Sequence, residues 1–86
     1  MYGVIVFNKE SVVMADREEN AKFLIWNEGD FVVVSGFSSE SDAKEWIQEE
    51  EFIHTFVIRL YSEERMPIPR FIFDRAIRSE SHLILG

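Results

Sequence analysis

Two histidines, His54 and His82, are the only side chains in this 86-residue sequence whose ordinary pKa lies near neutrality. His54 stands four residues after Glu50 and three after Glu51. On a helix, either spacing sets a carboxylate beside an imidazole, as acid–base and metal sites require. A di-metal site needs that pairing twice, with further carboxylates from other helices, and here it occurs once. The residues after His54 also alternate like a strand, which breaks the helical spacing. Nucleophilic chemistry has less support still. There is no Gly-x-Ser-x-Gly elbow, and the serines gather at the start of a helix, where capping accounts for them. Gly3, Gly29, Gly36 and Gly86 are scattered, so no glycine-rich phosphate loop exists. Asp16, Glu18 and Glu19 crowd one charged connection and read as solvated neighbours. With no cysteine, thiolate chemistry, disulfides and cysteine zinc sites are excluded. The expectation is no catalytic residue, no cofactor and no metal.

Charge is the more informative property. Residues 1–58 carry twelve acidic side chains and four basic ones, net −8, whereas residues 59–86 are net +1, giving −7 for the chain. An acidic body is thus joined to an arginine-bearing end, and such an uneven distribution biases which partners approach and how. Two candidate surfaces follow. The acidic one is a helix face with Glu40, Asp42, Glu45, Glu49, Glu50 and Glu51. The other holds Arg59, Tyr61, Arg65, Arg70, Arg75 and Arg78, near Phe71 and Phe73. Arginine among exposed rings is a composition found at protein interfaces and at single-stranded nucleic-acid sites. The plainer expectation is that these arginines are solvated or pair with the acidic body.

The elements that must position these residues can be read from periodicity. Tyr2 to Phe7 is apolar on both faces, with Val4 and Val6 opposite Ile5 and Phe7, as in a strand at the middle of a sheet. Ser11 to Ala15 reads as a returning strand, and the connection over Asp16–Asn20 can open a short helix. Phe23–Trp26 and Phe31–Val34 flank a turn containing Gly29, the best hairpin signal in the chain. Trp26, next to that turn, is a candidate interface-rim residue. The period then changes. Ser39 is the expected N-cap of a helix over Ser39–Glu51, with Ala43, Trp46 and Ile47 on its apolar stripe. Phe52 to Tyr61 alternates like a half-buried strand, with Phe56, Ile58 and Leu60 on the buried face. Pro67 and Pro69 interrupt regular structure. Phe71 to Arg78 reads as a short helix, although Phe71-Ile72-Phe73 alone would pass for a strand. His82–Leu85 reads as an edge strand. The fold class is α+β: one domain over residues 1–86, with a four- to five-stranded, mostly antiparallel sheet, one main helix and a short C-terminal helix, both helices expected on one face. The expected core is Ile5, Phe7, Val12, Met14, Ile25, Val32, Val34, Ala43, Trp46, Ile47, Phe56, Ile58 and Leu60.

The strands leading into Phe37-Ser38-Ser39-Glu40-Ser41-Asp42-Ala43-Lys44-Glu45-Trp46 faintly resemble the small hybrid-binding domain that precedes some ribonucleases H. The resemblance spans about half the chain. It lacks the basic residues with which such a domain holds phosphates, and no residue role is carried over from it.

The absence of cysteine and of a basic, apolar leader at the N-terminus leads to the expectation of a cytoplasmic chain with no membrane-spanning stretch. The functional expectation is a small, acidic, non-catalytic protein-interaction module. It would be a regulator or inhibitor of the sort compact viral or bacterial genomes encode, docking on a larger protein and covering a basic surface that otherwise holds nucleic acid. The alternative is nucleic-acid binding through the arginine-bearing segment, although strong overall acidity opposes a polyanion. The edge strand and the aromatic content would also permit a homodimer.

Overall fold

Valine and isoleucine dominate the extended runs, and branched side chains pack well on a pleated surface. Strand β1 (Tyr2–Phe7) is followed by a short 3-10 turn at Glu18–Asn20, then by β2 (Leu24–Glu28), β3 (Phe31–Phe37), helix α1 (Glu40–Glu50), β4 (Thr55–Arg59), helix α2 (Arg70–Arg78) and β5 (Leu83–Leu85). The computed structural model describes residues 1–7, 17–62, 64–78 and 83–85. The expected strand over Ser11–Ala15, with Val12 and Met14, lies outside the described residues, as does His82.

The strands form one sheet in the order β2-β3-β1-β4-β5. β1 sits at its centre, antiparallel to β3 on one edge and to β4 on the other. β2 and β3 form the expected hairpin, with Glu28 opposite Phe31 and Gly29 at φ 65°. That geometry puts glycine at the first turn position, where two-residue hairpins favour it. β5 runs parallel to β4 on the outer edge. The sheet is therefore mostly antiparallel, and the fold is α+β as expected.

The helices do not share a face. Ala43, Trp46 and Ile47 of α1 pack on Val4, Val6, Val32, Val34 and Val57. Ile72 and Phe73 of α2, with Met66 and Ile68 before it, pack on Ile5, Trp26, Val33, Phe56, Ile58 and Leu60. The sheet is covered on both sides, and the expected core list mixes residues from opposite faces. β4 is corrected for the same reason: Phe56 and Val57 are both fully buried, on opposite faces, so it is not a half-buried strand. Each such apolar side chain removed from water contributes about 1.5–3 kcal/mol to the folded state.

One irregularity shapes the α1 face. Tyr2 pairs with Phe37 but Gly3 pairs with Ser35, which leaves Gly36 as an extra residue in β3. Gly36 has φ 123°, a conformation that side chains resist. A bulge re-aims the side chain that follows it. Phe37 accordingly joins Val32 and Val34 against α1 rather than continuing the alternation to the other side.

Candidate functional site

Helix α1 starts where the sequence predicts. Ser39 has extended backbone, and its hydroxyl accepts from the Asp42 backbone N–H at 3.1 Å. The helix ends at Glu50, so His54 is not on it and neither Glu50 nor Glu51 stands beside it at helical spacing. His54 instead packs edge-on to Phe7, ring centroids 3.7 Å apart. Among the described residues, no three histidine, aspartate or glutamate side chains are grouped as metal ligands.

The acidic helix face divides. Asp42, Glu45 and Glu49 stand one turn apart in succession and line an open cleft of about 400 Å³ with Lys22, Phe23, Phe37 and Trp46. The floor is a stack of rings: Phe23 lies 4.5 Å from Phe37 and 5.8 Å from Trp46 between centroids. The buried Trp46 indole donates to Asn20 Oδ1 at 3.3 Å, which fixes the 3-10 turn against the helix. Glu40 is half-buried at the first turn, and Glu51 is exposed beyond the last. Glu50 serves within the molecule: Arg17 donates to its carboxylate from Nη1 and to Glu19 from Nη2 at 2.7 Å, and the Glu50 side chain is only 7% exposed. A cation there offsets carboxylates at the negative end of the helix dipole. Its effect is visible on Glu19, whose carboxyl pKa is lowered by a hydrogen bond from its own backbone and by the Arg17 charge.

The arginine set divides as well. A second cleft, of about 360 Å³, opens on the α2 face. Its apolar floor is Ile58, Leu60, Met66, Ile68 and Ile72, its margin carries Tyr61, Phe71 and Arg75, and Arg59 of β4 also lines it. Tyr61 and Phe71 are 87% and 57% exposed. The Arg75 guanidinium lies over the Phe71 ring, 5.9 Å from its centroid, whereas that of Arg59 lies at the same distance over Tyr2, which packs with the α1-face core, so the Arg59 side chain is on the other face of the sheet. Arg70 is turned elsewhere, into a smaller cleft with Glu28, Asp30 and Asp74. Arg65 and Arg78 are exposed and line neither. The six residues predicted as one surface are therefore not one surface.

Trp26 is corrected from interface rim to core. β2 runs on to Glu28, so Trp26 is mid-strand, 6% exposed on the α2 face, with its indole donating to Glu28 Oε1 at 2.9 Å. Trp46 is core, as its place on the helical stripe implied. Sequence reasoning missed Lys22, Phe23 and Phe37 beside the α1 cleft, and Met66 and Ile68 beneath the other. The Gly36-Phe37 period break was the one available signal for the first group. No helix among the described residues is long and apolar enough to cross a membrane. No protein-family model, curated protein or solved structure matches the chain.

Proposed function

We propose that this chain is a non-catalytic protein-interaction module that docks its α1 cleft on a basic surface of a larger protein and so regulates or inhibits it. One observation carries the reading: Asp42, Glu45 and Glu49 converge on a single ring-floored cleft in which Lys22 is the only cation among the described lining residues. Separate carboxylates on a solvated helix would merely confer solubility. Three of them around one concavity create a local negative potential with an apolar base, which suits a lysine- or arginine-bearing segment whose aliphatic stem lies on the rings. A basic surface that otherwise holds nucleic acid has that character.

The test is a pull-down from the native cell with wild type and with the Asp42→Lys/Glu45→Lys/Glu49→Lys variant, each with and without nuclease. A stoichiometric protein retained after nuclease by wild type and lost by the variant is the expected result. Charge reversal of this kind acts mainly on the association rate, and the wild-type complex should weaken as salt rises. Retention of the same protein by the variant would remove the α1 cleft from the reading. Capture of nucleic acid alone would replace it with the nucleic-acid alternative.

A further inference from the structure

The α1 cleft already holds a cation of its own. Lys22 and Phe23 both line it, and the Lys22 ammonium lies over the Phe23 ring, 5.2 Å from the centroid. Lys22 is exposed, so its long side chain gives up rotamer freedom to stay there. Two attractions hold it: the quadrupole of the ring, and the negative potential of Asp42, Glu45 and Glu49 around the same concavity. One ammonium does not exhaust that potential. Asp42 and Glu49 lie at the two ends of a stretch of α1 that spans about 10 Å along the helix axis, farther than a single cation reaches at once.

Given the α1 cleft as the docking surface, on which this inference rests, we propose that Lys22 is a placeholder and that the cleft selects its partner segment by an arginine that displaces Lys22 from the Phe23 ring. A partner lysine would exchange like for like, one strongly hydrated ammonium for another, and gain little at the ring. A guanidinium is planar and more weakly hydrated. It stacks on the ring and keeps its N–H donors for the carboxylates around it. Lys22 thereby sets a threshold that arginine passes and lysine does not. In an extended segment, a second basic residue three positions on lies about 10 Å away, which matches the span from Asp42 to Glu49. An acidic segment or a nucleic-acid backbone would meet the same carboxylates and be repelled.

The probes are fluorescent peptides carrying Arg-Ala-Ala-Arg, Lys-Ala-Ala-Lys or Glu-Ala-Ala-Glu between neutral flanks, titrated with the full chain at low salt and read by anisotropy. The arginine peptide should saturate and bind about two- to fivefold more tightly than the lysine peptide, the gain expected of one exposed cation–ring contact. The glutamate peptide should not bind. Lys22→Arg leaves the net charge unchanged and should weaken the arginine peptide by a similar factor, because the placeholder then matches the ligand. Lys22→Gln should strengthen it, and by more than Lys44→Gln, an equal charge change at an exposed α1 residue that does not line the cleft. Phe23→Leu should erase the preference for arginine over lysine, and the exposed Lys22 variants cover the case in which Phe23→Leu fails to fold by circular dichroism. Failure of the arginine peptide to saturate would overturn the proposal. So would equal binding of the arginine and lysine peptides, an unchanged affinity in Lys22→Arg, or equal effects of Lys22→Gln and Lys44→Gln. The Asp42→Lys/Glu45→Lys/Glu49→Lys variant separates this inference from the reading beneath it. Loss of both basic peptides by that variant, with indifference to Lys22, would keep the cleft as a docking surface and strike the placeholder. Retention of the arginine peptide by that variant would remove the cleft itself, and the placeholder with it.

Discussion

Glu51 holds φ 59°, the left-handed conformation that glycine adopts without cost at the end of a helix. Its N–H reaches the Gln48 carbonyl and that of Phe52 reaches the Ile47 carbonyl, both at 3.2 Å, so the turn closes as a Schellman cap. Phe52 then packs against the same core as Ile47. A glutamate pays here twice, in backbone strain and in negative charge at the helix C-terminus. Glu51→Gly should therefore raise stability by about 0.5–1 kcal/mol in urea unfolding, even allowing for the extra freedom glycine gives the unfolded chain. Arg17 acts in the opposite sense at the same end. The Glu19 carboxyl titrates below its ordinary 4.5 in the folded chain, first through its own backbone hydrogen bond and then through Arg17. A depressed folded pKa contributes stability above the unfolded value, and that contribution is lost as pH falls through the folded value. Urea midpoints measured from neutral pH down past 4.5 should show this acid loss in wild type, and Arg17→Gln should flatten it.

At the scale of elements, the bulge at Gly36 sets the α1 cleft. A Cβ there would meet the Phe23 ring at 3.3 Å in a backbone conformation that L-residues resist. Gly36→Ala should cost about 1–3 kcal/mol by strain and crowding. Because Phe37 reaches the Phe23–Trp46 stack through that bulge, the near-ultraviolet circular dichroism of Trp46 should change as well. The central strand, the hairpin around Gly29 and the Ser39 cap were legible because each is signalled within a few residues: two-sided apolarity, a turn glycine, a hydroxyl before a periodic stripe. The placement of α2 was not. Strand β4 alternates as Phe56, Ile58 and Leu60 against Thr55, Val57 and Arg59, and alternation alone does not reveal that Val57 also has a helix above it. The candidate surfaces were legible in residue type and not in grouping. Glu50 looks like its neighbours until Arg17, thirty-three residues earlier, is seen to hold it. Arg70 looks like Arg75 until the helix turns the two to different clefts.

For the whole molecule, two apolar layers separated by one sheet mean that neither helix can be removed without opening a core. A chain ending after Leu60 would uncover Ile5, Phe56, Ile58 and Leu60 on the α2 face. Such a truncation should lose cooperative unfolding and bind the dye ANS, whereas the full chain should do neither, as a fluorescence titration would show. The order of strands in space has a consequence in time. β1 is third across the sheet, yet both of its neighbours come later in the chain, β3 reaching Phe37 and β4 reaching Arg59. On a ribosome adding about 5–20 residues per second, Val4, Ile5 and Val6 emerge seconds before β4 is complete. The future centre of the sheet is a bare apolar strand with two open edges until β3 emerges and with one until β4 does, a ready ligand for a nascent-chain chaperone.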